Sequence, residues 1–330
     1  MTARGAARER MSRLRHVLAR IALAIVVTPL AAQATSLPAD GSGAGSASGL
    51  ASLAYCDAGT QLSAEQRDRL LRFAAVVKDE LARSGARAAL IARSGLDLRR
   101  VGQRYSHAGL TLRASPESPW AVRQLYYACD EKAPRLFDQG MSAFLMGTDD
   151  AAVGYVSIVF LPEAEAAALE RSALDNRQAL ALLGASYSAN AYPFSTRHQN
   201  CNQWLVELLA SSWNPAPDDD PTAPRERAQR WLRDEGYTPT RFEFGARPVL
   251  WLAAVVPWLH LDDHPAEDLE RNRLAVSMPE SIEAFVRARV PRAERLEICH
   301  DSRRAVLRRG WEPIADGCRP GPGDEVRPLP

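Results

Sequence analysis

The chain has 330 residues, with 41 Lys+Arg against 40 Asp+Glu, 46% hydrophobic and 25% charged residues. That balance excludes a disordered, collagenous or coiled-coil protein, and the near-zero net charge excludes a nucleic-acid partner held by a basic face. The length suits one large domain, or two modest ones, with a real core.

The first 34 residues predict a secretory signal. Arg4, Arg8, Arg10, Arg13, Arg15 and Arg20 form a basic lead, the apolar run Ile21 to Ala32 follows, and Ala32-Gln33-Ala34 supplies the small residues of a cleavage site. The run is shorter than the roughly 20 apolar residues a membrane anchor needs. Cleavage after Ala34 therefore predicts a periplasmic or secreted protein with no stable transmembrane anchor, and Met1 and Met11 are both possible starts. Residues 35–54 are rich in Ser, Gly and Ala and predict a flexible leader. The ordered core is expected over 55–214, a C-terminal part of the same domain over 215–300, and a disulfide-linked irregular tail over 301–330.

Ser63 and Gln66 form a capping box for a helix with Leu70, Phe73, Val77 and Leu81 on one face, closed by Gly85. Ala88 to Ala92, Tyr105 to Arg113, Trp120 to Ala128 and Tyr155 to Leu161 read as strands. Helices are expected after Pro162, near Gln178 to Leu183, from Cys201 to Trp213, through Trp231 and over Pro279 to Arg289. The stretch PAPDDDPTAP reads as a loop and Val249 to Leu259 as an apolar run.

An oxidising compartment makes the five cysteines informative. Cys299 and Cys318 lie 19 residues apart in a turn-rich tail and are the expected bridge. If Cys56 pairs with Cys129, Cys201 is left as the free thiol; spacing alone does not fix the connectivity. Cys201 opens a helix whose apolar positions, Leu205 and Leu208, follow at i+4 and i+7, so the thiol points toward the core. A helix N-terminus favours thiolate, and a nearby imidazole could ionise the thiol and later protonate a leaving group. His107, inside an apolar strand, is the candidate base. The amide flank (Gln199, Asn200, Asn202 and Gln203) and the free N–H of Cys201 could hold an oxyanion, and Asn200, Gln199 and Tyr187 in the preceding loop are the candidate oxyanion or substrate-binding set.

The order YSHAGL, WAVRQLYYACD, GYVSIVFLP, YSANAYPF and NCNQWLVELL resembles a bacterial family known as domain of unknown function number 2145. It is also similar to the circularly permuted, papain-like (NlpC-type) thiol hydrolases, in which the His strand precedes the Cys helix. The resemblance implies an α+β fold: a permuted papain-like core with a small antiparallel sheet packed against helices, and a mainly helical C-terminal extension. It implies Cys201 as nucleophile and His107 as base. The third polar group of such sites usually lies on the next strand, where this chain offers Gln124 or Arg123 rather than His, Asp or Glu. Gln124 is the better match, because a neutral amide oxygen can accept from the ring N–H.

The expected activity is hydrolysis or acyl transfer at an amide or ester of a peptide, lipid or small-molecule substrate of the cell envelope. No cofactor and no metal is expected at that site. One alternative is a periplasmic binding or assembly module of the same fold without the chemistry. Another is a metal-binding protein using the loop His260, Asp262, Asp263 and His264 (residues 260–264), whose imidazoles and carboxylates suit a divalent ion.

Overall fold

The computed structural model describes residues 62–215, 217, 220–244, 256, 258–301 and 303–329. The expected signal and leader, Cys56 and most of the 249–259 run lie outside them. The first helix, α1 (Ala64–Arg83), begins where the sequence predicts: Ser63 Oγ accepts from the Gln66 N–H, and Gln66 Oε1 accepts from the Ser63 N–H. Strands β1 (Ala88–Arg93), β2 (His107–Leu112), β3 (Ala121–Ala128), β4 (Ala133–Gln139) and β5 (Val153–Phe160) follow, with the short helix α2 (Met141–Met146) between the last two. Then come α3 (Glu163–Leu174), α4 (Asn176–Ala181), α5 (Cys201–Trp213) and α6 (Pro224–Asp234). The remainder is β6 (Thr240–Glu243), α7 (Ala266–Glu270), β7 (Arg273–Val276), α8 (Pro279–Arg289), β8 (Glu294–Asp301), β9 (Arg304–Arg309) and β10 (Glu325–Pro328).

Eight strands form one antiparallel sheet in the order β10-β9-β8-β5-β1-β2-β3-β4, and β6 pairs with β7 separately. The fold is α+β. The expected small sheet and mainly helical C-terminal extension need correction: β8 lies against β5 near the middle of the sheet, and β9 and β10 continue it. The tail expected to be irregular thus supplies two strands. The misreading has a physical cause. Glu294-Arg295-Leu296-Glu297 looks like a solvated segment, yet Arg295 and Glu297 are buried and partnered. Arg295 Nε donates to Glu283 (2.9 Å), and Glu297 accepts from Arg104 (2.8 Å), the Tyr105 hydroxyl and the Ile314 N–H (2.6 Å).

Both faces of the sheet are covered. Phe73, Val77 and Leu81 of α1, with Phe144 of α2, pack on Ile91, Val122, Ile158 and Ile298. Leu169 of α3, Leu205 and Leu208 of α5 and Phe285 of α8 pack with Leu90, Leu110 and Val306 on the other face. Burial on both faces explains why β1 has no exposed residue and reads as an unbroken apolar run. Gly109 of β2 lets β3 approach closely, since a Cβ there would stand 2.6 Å from Val122 Cγ1 and 2.9 Å from the Arg123 carbonyl. Cys299 and Cys318 form the expected disulfide, pinning the turn after β9 to β8. Cys129 is disulfide-bonded as well; its expected partner, Cys56, lies outside the described residues.

Candidate functional site

Helix α5 is buried on nearly every side, which is unusual for an amphipathic pattern and makes it the axle of its layer. Its cap is Asn200: Oδ1 accepts from the Gln203 N–H at 2.7 Å, and Nδ2 donates to the carbonyls of Ala189 and Ser277 at 3.3 and 3.4 Å. Gln199 is equally committed. Its Oε1 accepts from Gly184, and its Nε2 donates to the Leu182 carbonyl and Glu207. Neither amide, as the chain stands, offers an N–H to a ligand, so the oxyanion donors expected of both are spent inside the fold. The backbone N–H groups of Cys201 and Asn202 are the ones that face the thiol. Tyr187, half-buried, bridges Gln199 through the backbone and stacks near Tyr127, with ring centroids 5.2 Å apart.

Asn202 fixes where α5 begins relative to β2. Its Oδ1 accepts from the Ala108 N–H at 3.0 Å and its Nδ2 donates to the Ser106 carbonyl at 3.3 Å. These bonds bracket His107 on both sides, so the residue after Cys201 is anchored across the candidate base. Among the described residues no hydrogen bond joins Cys201 Sγ to the imidazole.

His107 Nε2 donates to Gln124 Oε1 at 2.5 Å. The orientation of Gln124 is set from behind, because its Nε2 donates to Gln139 Oε1 at 2.6 Å on β4. A ring bonded through Nε2 leaves Nδ1 as the lone-pair nitrogen, and nothing among the described residues occupies it. Arg123, the other side chain considered at this register, turns to the opposite face and pairs with Asp138 at 2.5 Å. Tyr126 and Phe144 flank the imidazole, at 5.0 and 6.0 Å between centroids.

Arg93, paired with His107 across β1 and β2, is the member that sequence reasoning missed. Its guanidinium lies over the Phe144 ring, donates to the Tyr126 hydroxyl at 3.0 Å and to the Gly147 carbonyl, and has no carboxylate partner among the described residues. Gly95 and Gly147 make its seat: a Cβ on either would come within 2.4 Å of the guanidinium. Nothing local in ALIARSG marks a buried arginine. Only the register opposite His107 does.

Burial dominates the electrostatics. It pushes the Cys201 thiol up to about 12, although the N–H groups of Asn202 and Cys201 and the Arg93 charge pull the other way. Burial, reinforced by Arg93, lowers His107 to about 3, against the bond to Gln124. The resting pair is a neutral thiol and a neutral imidazole. The thiolate expected near neutral pH from the helix terminus is therefore outweighed by desolvation.

Behind the thiol, Glu207 is fully buried and accepts from Arg225 Nε (2.9 Å) and Nη2 (3.1 Å), Gln229 (2.7 Å), Gln203 (3.2 Å) and Gln199 (2.6 Å). Arg225 also donates to the carbonyls of Thr196 and His198, tying α6 and the loop before Cys201 to α5. Gln203 and Glu207 stand one turn apart on α5, a polar pair on one helix face, and Gln199 reaches Glu207 from the extended residue before the cap.

Residues 80–286 match the profile of a family described as "Uncharacterized protein conserved in bacteria (DUF2145)". The chain belongs to that family. No curated protein and no solved structure matches it. The DUF2145 match runs from the end of α1 into α8, so it includes Arg93, His107, Gln124 and Cys201, and it stops before β8.

The loop 260–264 does not act as one ligand set. His264 is buried with its Nε2 2.8 Å from the Asn190 carbonyl, and Asp263 accepts from the Tyr192 N–H at 2.8 Å. His260 and Asp262 instead meet His198 from the loop before α5. The His198 and His260 rings stack with centroids 4.3 Å apart, and His198 Nε2 donates to Asp262 Oδ1 at 2.9 Å. Among the described residues, no helix is long and apolar enough to cross a membrane. A cleft of about 550 Å³ opens beyond the end of β1, lined by Ser94, Gly95, Leu96, Arg99 and Arg104 among others; neither Cys201 nor His107 is in its wall.

Proposed function

We propose that this DUF2145 chain is an exported thiol hydrolase or acyltransferase of the permuted papain-like kind, with Cys201 as nucleophile, His107 as general base and Gln124 as the residue that orients the ring. The observation that carries the reading is the His107–Gln124 bond, which leaves Nδ1 free on a residue bracketed by the neighbour of Cys201. In the reaction, Sγ bonds to the carbonyl carbon of an amide or ester while its proton passes to Nδ1. The Cys201 and Asn202 backbone N–H groups are the donors nearest the developing oxyanion. His107 then returns the proton to the leaving amine or alcohol, and water or a second acceptor releases the acyl group from sulfur. With both groups neutral at rest, proton removal accompanies attack rather than preceding it. Cell-envelope peptides or lipid esters are the substrate class. Export is tested by intact mass, with a mature start near Thr35 expected and retention of residues 1–34 refuting it.

The enzymatic test is pre-steady-state acylation by p-nitrophenyl acetate. One equivalent of nitrophenolate is expected per chain, lost in Cys201→Ala and His107→Ala and slowed in Gln124→Ala. A burst that persists in Cys201→Ala, or none in the parent protein, overturns the mechanism. A second reading, a binding or assembly module without chemistry, is favoured by one observation: Cys201 is only 8% exposed. Absence of acylation in a folded parent protein supports that module.

A further inference from the structure

We propose that His198, His260 and Asp262 form a binding site for one divalent transition-metal ion, zinc being the best match to two imidazoles and a carboxylate. Their donor atoms all lie within 4.8 Å of one another. Ligands about 2.0–2.1 Å from a tetrahedral ion stand roughly 3.4 Å apart, so the set closes on an ion once the stacked His198 and His260 rings tilt out of parallel to aim their in-plane lone pairs at one point. The pairing was hidden in the sequence, because His198 is 62 positions before His260 and the tempting partner, His264, turns into the core.

The surroundings suit an ion more than they suit a chance contact. His198 is buried and held at both nitrogens, with Ser186 Oγ 2.9 Å from Nδ1 and Asp262 Oδ1 2.9 Å from Nε2. A metal replaces the proton between Nε2 and Oδ1. The ring proton then moves to Nδ1, where the Ser186 hydroxyl, able to donate or accept, turns to accept it. Asp262 is steadied by Arg197, whose Nη1 lies 3.1 Å from Oδ2, so Oδ1 is the oxygen left for the ion. The exposed Arg197 can swing away if its charge opposes binding.

His260 is placed by its backbone rather than by its ring. Its N–H donates to Ser188 Oγ and Asn190 Oδ1 at 3.0 and 3.1 Å, and its carbonyl accepts from Asn190 Nδ2 at 2.7 Å. Among the described residues the imidazole itself has no hydrogen bond, so its lone pair is available. Three protein donors leave a fourth position for water or a small ligand, and solvent reaches the site because the Asp262 side chain is half exposed. The ion would staple the loop before α5 to the loop after residue 256, and it uses no residue of the thiol mechanism.

The test uses the full mature chain, dialysed against chelator and titrated with zinc by calorimetry, then with cobalt by visible absorption. One ion per chain is expected, with the intense cobalt bands of four-coordination and a raised thermal midpoint. His260→Ala and Asp262→Asn should each abolish stoichiometric binding, and Ser186→Ala should weaken it about tenfold. Cys201→Ser should leave it unchanged, which separates this site from adventitious capture by the thiol. No saturable binding by the parent protein overturns the proposal, and so does binding that survives both His260→Ala and Asp262→Asn or is lost in Cys201→Ser. Because acylation by p-nitrophenyl acetate is measured separately, failure of either proposal leaves the other standing.

Discussion

His107 and His300 are buried imidazoles held neutral, one down to about 3 and the other to about 4, each chiefly by desolvation. His300 packs on the Phe73 ring at 4.6 Å, and its Nδ1 has no partner among the described residues. In the unfolded chain both take a proton near pH 6.5, whereas the folded chain refuses it until pH 4 or below. Their contribution to stability is therefore complete above about pH 6.5 and is lost as the pH falls toward 4. Each adds a slope of at most about 1.4 kcal/mol per pH unit. Denaturant midpoints between pH 6.5 and 4 should fall steadily, and His300→Phe, which keeps the ring packing, should remove about half of that slope. An unchanged slope in the variant would locate the acid sensitivity elsewhere.

At the scale of elements, the informative unit is α5 with α6. Glu207 and Arg225 are both buried, so removing one partner leaves an uncompensated charge. Arg225→Met should cost about 3–5 kcal/mol, measured by urea unfolding, while Glu207→Leu with Arg225→Met should recover much of it. If the single variant costs under about 1 kcal/mol, the pair is no more than a surface-type bridge. The same unit explains what sequence reading could reach. Helix starts at Ser63, Cys201 and Pro279 announce themselves through caps and apolar spacing, and the His107–Gln124 pairing follows from counting along neighbouring strands. The roles of Asn200 and Gln199 did not. An amide beside a nucleophile reads the same whether it serves a ligand or a helix end, and only the hydrogen bonds in three dimensions decide. Strand β4 escaped for a related reason: APRLFDQ carries a proline and two charges, and it lies at the sheet edge where such residues are tolerated.

For the whole molecule, the position of β8 sets the order in which the fold can be completed. Strands β1 to β4 and their hairpins are contiguous in the chain and can pair as they emerge. The outer edge of β5, eight residues long and largely apolar, must wait for residues 294–301, some 140 positions later. Until then it presents unpaired N–H and C=O groups beside Val156, Ile158 and Val159, a template for pairing with other chains. A chain ended after Val290 retains every residue matched to the family and every residue of the candidate site, yet it should aggregate, whereas the full chain elutes as a defined species by size-exclusion chromatography. A soluble, cooperatively unfolding truncation would refute this. For a protein that leaves the ribosome amino end first, the last strand of the middle is the one that ends its vulnerability, and anything that shields β5 in the interval acts as a chaperone for the site without ever touching it.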